Sequence, residues 1–331
     1  MVAMLTAALV PAGAWADGHA WTKRHRRLRA RASSHHIERA RGRAYPAIVG
    51  GHFARNGQFP WVAKVVARRG NRADLCTGTV VAANLILTAG HCAEDVRTGI
   101  QREPTDYEVQ TAADFARQRT SKPSRVSRVL VYPGFEPRSG VGDAALLELS
   151  TPTVAPSIRL ASEVDDWPAG THALMTGWGR TDGPARRTDP RSLRWAGTVV
   201  QSSDWCAAHL RGFHARRQLC ALNAPRDNTA GCSGDSGGPL LVKRATETIQ
   251  IGIVNGSVMR RSKLVRCLTT QPTVYANSSV ISRWVHEWVE RLTSVPITIT
   301  EAPAATQAST HIASLAWAPE ARPAPLRVPG F

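Results

Sequence analysis

The sequence predicts an all-β protein, barrel or sandwich, that ends in a single long α-helix. Two observations carry that prediction. From residue 48 the chain runs as short β-branched apolar stretches punctuated by Gly, Pro, Asn and Asp, the texture of many strands joined by tight turns. Near residue 280 the apolar residues switch to a helical period.

In chain order, residues 1–16 (MVAMLTAALVPAGAWA) are apolar and end in Ala14-Trp15-Ala16, a small-x-small pattern suited to signal peptidase. Basic residues ahead of the apolar stretch are lacking, which leaves open a start further upstream. A buried first strand is the alternative, and export is the favoured reading. Residues 17–47 hold the run KRHRRLRARASSHHIERARGR and are expected to be a solvated basic pro-segment. The strand-length stretches follow: WVAKVVAR (61–68), TGTVVAANLILTAGHC (77–92), VSRVLVYPG (126–134), AALLELS (144–150) and IQIGIVNG (249–256). Val280, Ile281, Trp284, Val285, Trp288, Val289 and Leu292 then form one stripe of a helix, with Asn277, Ser278 and Ser279 as N-cap candidates. Residues 293–331 are rich in Pro and Ala without a period, and a disordered tail is expected. No internal repeat is visible in the sequence.

Composition narrows the function classes. The formal charge is +17, of which residues 1–47, with nine Lys/Arg and two Asp/Glu, supply +7. A basic run can bind nucleic acid, but this one lacks interleaved aromatic residues, so no nucleic-acid partner is expected. No apolar run is long enough to span a membrane. The six cysteines (Cys76, Cys92, Cys206, Cys220, Cys232 and Cys267) show no C-x-x-C spacing. That argues against a zinc site and for three disulfides in an oxidising compartment. A secreted monomer without metal or cofactor is the expectation.

The chemistry gathers around GCSGDSGGPL (231–240). A flexible linker has no reason to run into Pro239, Leu240, Leu241 and Val242, whereas a backbone wrapped around one reactive side chain, Ser236, does. A serine hydroxyl needs a base to take its proton, and the base needs an acid to hold its tautomer. In LTAGHC (87–92), His91 ends an apolar strand beside a cysteine; in GDAALLEL (142–149), Asp143 precedes a buried strand. Singly, each has an ordinary structural explanation, as a packed histidine and a turn cap.

Together with IVGG (48–51), MTGWG (175–179), GDSGGPL (234–240) and the Trp-rich closing helix, in this order, they resemble the chymotrypsin-like (trypsin-type) serine peptidases. The resemblance covers residues 48–292. It implies a fold of two six-stranded antiparallel barrels with a C-terminal α-helix, and an active site in the cleft between the barrels. It implies Ser236 as nucleophile, His91 as base and Asp143 as its orienting acid, with the N–H groups of Gly234 and Ser236 as oxyanion donors. Protein or peptide substrates follow, as do the pairings Cys76–Cys92, Cys206–Cys220 and Cys232–Cys267. It also implies a zymogen, in which cleavage before Ile48 frees an amine that buries itself against Asp235.

The sequence departs from the family at the specificity pocket. Ala230, followed by Gly231, stands where trypsin-like members carry an acid, and an uncharged base cannot balance a buried Arg or Lys. Thr273 takes the place of a smaller residue and narrows the pocket. Small or medium apolar residues before the scissile bond are therefore expected. Asn255, Gly256 and Ser257 replace the usual Ser-Trp-Gly wall, which removes an aromatic surface and the hydrogen bond normally given to Asp143. Those three replacements are what a non-catalytic homologue acting as a binding protein would rest on.

Overall fold

The structure, a computed structural model, describes residues 48–69, 72–117, 122–179, 193–222, 229–257, 267 and 270–293. The expected leader (1–16), the basic segment (17–47) and the tail beyond the helix lie outside the described residues.

Two closed barrels make up the fold. The first is built from β1 (Val62–Arg69), β2 (Arg72–Ala82), β3 (Leu85–Thr88), β4 (Tyr107–Thr111), β5 (Ser124–Val131) and β6 (Ala145–Leu149). Its ring order is β1-β2-β3-β6-β5-β4, closed by the antiparallel β1–β4 pairing. The second uses β7 (His172–Gly177), β8 (Arg194–Val200), β9 (Gln218–Leu222), β10 (Pro239–Arg244), β11 (Glu247–Ser257) and β12 (Thr273–Asn277). Its ring runs β7-β8-β9-β12-β11-β10, closed by β7–β10. Both halves thus trace the same path, first-second-third-sixth-fifth-fourth. The short strand His52–Phe53 adds to the outside of β8.

The stretch 77–92 divides into three elements. β2 and β3 form a hairpin that turns at Ala83–Asn84, and a one-turn helix, α1 (Gly90–Ala93), follows. Every residue of β3 is buried, as befits a strand packed on both faces. The interior of the first barrel gathers Val65, Val80, Ile86, Leu146 and Leu147, all fully buried. The second barrel fills with Leu240, Ile249, Ile251 and Tyr275.

The closing helix, α2 (Ser278–Thr293), packs on the first barrel's core. Asn277 Oδ1 caps it, accepting from Ser279 N at 3.1 Å and Ser279 Oγ at 2.9 Å. Of the apolar stripe, Ile281 and Val285 are fully covered, while Trp284, Trp288, Val289 and Leu292 flank them. The Trp284 ring meets Tyr132 edge-on at 5.3 Å, and Arg128 and Arg291 lie against Trp288. Among the described residues no helix is long and apolar enough to cross a membrane.

Candidate active site

His91 sits in α1, delivered by the buried strand β3 and held by the disulfide Cys76–Cys92 beside it. Asp143 comes from the turn before β6 and is 1% exposed. Two hydrogen bonds join them. The His91 backbone N–H donates to Asp143 Oδ1 at 2.8 Å, and His91 Nδ1 lies 2.7 Å from Oδ2. The carboxylate therefore fixes both the ring and the chain that carries it, and it selects the tautomer with the proton on Nδ1. Gly90 makes the approach feasible: a Cβ there would sit 2.9 Å from the Phe135 ring and 3.1 Å from Asp143 Oδ1. Burial pulls the His91 pKa down, but the charge and hydrogen bond of Asp143 outweigh it, and the Arg102 guanidinium opposes them weakly. The net shift is upward.

Ser236 rides on the loop that leads into β10. Gly234 (φ +101°) and Gly237 (φ +83°) hold it in left-handed conformations, which favour glycine. Thr77 of the first barrel ties the loop down. Its hydroxyl donates to Gly234 O at 2.8 Å and accepts from Trp178 N at 3.1 Å, while its N–H donates to Ser236 O at 2.8 Å. The carbonyls of this loop are thus occupied, yet the N–H groups of Gly234 and Ser236 have no acceptor among the described residues.

Beneath the loop, Asp235 is fully buried. Its carboxylate accepts from Gly179 N and Cys232 N, both at 2.8 Å. Burial nonetheless pushes its pKa up to about 7, the two backbone donors only partly opposing it. A Cβ on Gly177 would lie 2.2 Å from Oδ1, and one on Gly179 within 2.5 Å of both oxygens. The two glycines of MTGWG therefore leave the space in which this carboxylate sits. Ile48 is fully buried against Met175 and Ala196, and Val49 exchanges both backbone hydrogen bonds with Ala230. Ile48 holds φ +48°, costly for a β-branched residue.

A cavity of about 290 Å3 brings His91, Gly234, Ser236, Asn255 and Gly256 together, with Cys232 and Cys267 in its wall. Cys232–Cys267 and Cys206–Cys220 are disulfides. Ala230, Gly231 and Thr273 are buried and do not line that cavity. Ser257 pairs with Thr273 across the sheet. Asn255 turns its Nδ2 toward the carbonyl of Gly140 and gives no hydrogen bond to Asp143. A second cavity, about 470 Å3, opens on the other side of His91 and is bordered by Arg102, Arg138 and Gly140. No cluster of three metal-ligating side chains occurs among the described residues.

Thr77 and Arg102 carry no local sequence signal. Each matters only because the fold brings it to the loop or the ring. The role of Gly177 and Gly179 was open to sequence reading only as part of MTGWG.

Comparison with known proteins agrees with the geometry. The Trypsin family model matches residues 48–285. A human protein named Serine protease 56 is 35% identical over 218 residues, 63% of this chain and 33% of that protein. Its mouse counterpart is 33% identical over 208 residues, 60% of this chain and 32% of the relative. The matched region thus spans about a third of these relatives. With two barrels of one topology and a family match that covers most of the chain, this chain belongs to the chymotrypsin-like (trypsin-type) serine peptidase family.

Proposed function

We propose that the protein is a secreted serine endopeptidase, made as a zymogen, that cleaves proteins or peptides through an acyl-enzyme on Ser236. The observation that carries the reading is the buried Asp143 carboxylate, doubly bonded to His91, in a site whose cavity also holds Ser236. His91, with its proton on Nδ1, takes the Ser236 proton through Nε2 as Oγ attacks the scissile carbonyl. Asp143 stabilises the imidazolium so formed. The unoccupied N–H groups of Gly234 and Ser236 receive the oxyanion, each donor contributing roughly 3 kcal/mol to the barrier reduction. His91 then returns the proton to the leaving amine, and water repeats the cycle on the acyl group. The apolar leader and three disulfides support export.

The zymogen reading rests on Ile48 and Asp235. In the uncut chain Ile48 needs a left-handed φ to reach its buried seat, and Asp235 has no cation among the described residues to neutralise it. Hydrolysis of the Ala47–Ile48 bond leaves no φ restraint at Ile48 and supplies an ammonium group beside that carboxyl.

A fluorophosphonate should label the mature protein on Ser236, and Ser236→Ala should abolish labelling. An unlabelled wild type with a correct Ile48 terminus would mean a binding protein instead. For specificity, the expected pocket positions Ala230 and Thr273 carry no charge to balance a buried cation, which supports small or medium apolar residues before the cut, although neither lines the cavity that holds Ser236. Peptide-library profiling should rank Ala or Val well above Arg and Lys. A profile led by Arg or Lys would sink this assignment.

A further inference from the structure

Asp143 reaches His91 at the end of a tight turn, residues 134–142, and the second barrel grips that turn by its backbone. Asn255 Nδ2 donates to Gly140 O, and Gln218 Nε2 reaches the same oxygen at 3.3 Å. Arg217 donates through Nη2 to Gly134 O and pairs through Nη1 with Glu136 Oε1 at 2.7 Å. Within the turn, Gly140 N donates to Glu136 O at 2.8 Å and Glu136 N to Val141 O at 2.9 Å. Fixing Gly134, Glu136 and Gly140 therefore fixes the whole turn up to the residue that carries the carboxylate.

The glycines match these grips. Gly140 has φ +68°, and a Cβ on it would lie 2.5 Å from Asn255 Nδ2. A Cβ on Gly134 would lie 2.8 Å from Arg217 Nη2. Gly142 has φ +66°, and a Cβ on it would lie 2.3 Å from Gly134 O, the oxygen that Arg217 holds. A larger residue at any of the three would displace the second-barrel side chain or the carbonyl it binds. Meanwhile, among the described residues, no second-barrel side chain bonds the Asp143 carboxylate itself.

We propose that Arg217 and Asn255 are positioning residues, which hold the Asp143 carboxylate on His91 from across the cleft by clamping the backbone of the 134–142 turn. The replacement at 255 then has a purpose. The direct hydrogen bond to the carboxylate is exchanged for a grip on the turn that bears it, with Gly140 as the matching space. The inference rests on the catalytic reading of His91 and Asp143 but is testable without turnover.

The groups facing His91 are Asp143 from its own turn, Arg102 and Asp74 opposite, Glu94, Asp95 and Arg97 beyond α1, and Arg138 from the gripped turn. Arg217 lines neither cavity that touches His91, so its loss changes no group that meets substrate there.

The experiment uses the full-length mature protein and three variants. Arg217→Ala and Asn255→Leu remove the donors, the second with little change of size and none of charge. Arg217→Lys keeps a single cationic donor. Proton NMR follows the His91 Nδ1 proton and its titration, and steady-state kinetics are measured in parallel. Both donor-removing variants should lower the pKa read from that proton and broaden its signal. Arg217→Ala should reduce kcat about tenfold with KM within about twofold of wild type. Arg217→Lys should recover part of each effect. If both folded variants give the wild-type resonance and titration, the clamp is wrong, whatever their activity. A variant that fails to fold is replaced by Glu136→Gln, which should weaken the Arg217 grip in the same direction. Failure of the catalytic reading would look different: wild type would resist fluorophosphonate while the His91 proton still responded to the variants.

Discussion

At the scale of single residues, the pH response of the site is set by charges around one imidazole. On the proposed mechanism His91 works as a base only when neutral, so kcat/KM should rise as pH passes through its pKa. Because that pKa is raised, the acid limb should lie above the ordinary histidine value near 6.5. Arg102 opposes the rise, and its Nη2 is engaged by Asp74 at 2.6 Å. Arg102→Gln removes the opposing charge and leaves Asp74 unneutralised, so the acid limb should move to higher pH. A rate profile with the limb unmoved or shifted down would contradict this. His91, Asp143 and Ser236 were legible in the sequence because each lies in a short distinctive string. Thr77 was not: its hydroxyl meets Gly234, 157 positions away, and nothing local in TGTVV announces it. Asn255 stood out as a replacement, but its partner Gly140 is 115 positions distant. The sequence showed what was absent from Asp143 without showing what took over.

At the scale of elements, the closing helix was the clearest segment, because four turns of apolar periodicity leave one solution. The strands of the second barrel were harder. β8 is interrupted by Ala196 and Gly197 and is β-branched only over Thr198–Val200, and β9 is five residues long with no β-branched residue, so neither stands out as a strand. Their pairing, which closes the barrel, rests on Val199 with Leu222 and Val200 with Ala221, a register that no local pattern encodes. The helix also gives an energetic prediction. Ile281 is 1% exposed within the first barrel's core, so Ile281→Ala should cost roughly 3 kcal/mol. Denaturant unfolding would measure that loss, while kcat per labelled site should stay at the wild-type value. A large fall in kcat at full folding would mean that the helix does more than cover the barrel.

At the scale of the whole molecule, the repeated ring order escapes sequence comparison because a barrel asks only for alternation, volume and turns. Many apolar residues serve equally well, so topology outlasts identity. The uncut molecule should also carry a distinctive pH signature. Asp235 titrates near 7 when folded and near 3.8 when exposed, so between those values the folded state keeps a proton that the unfolded chain has lost. Stability of a Ser236→Ala precursor should therefore fall as pH rises from about 4 to 7, by a few kcal/mol at most. Melting temperatures across that range would record it, and Asp235→Asn should flatten the slope. A precursor whose stability rises over the same interval would show that Asp235 already has a cation.

Under the proposed zymogen reading, the left-handed Ile48 has one last implication, for time rather than energy. Once the bond before it is hydrolysed, the new ammonium group pairs with Asp235 while the Ile48 side chain stays buried against Met175 and Ala196, which withdraws the amine from the acyl group it left. Burial of the product drains the reverse reaction, so the cut acts as a ratchet. The amount of working protein then counts cutting events that have already happened. It does not follow the present level of any ligand, and the molecule keeps a record that only its own destruction erases.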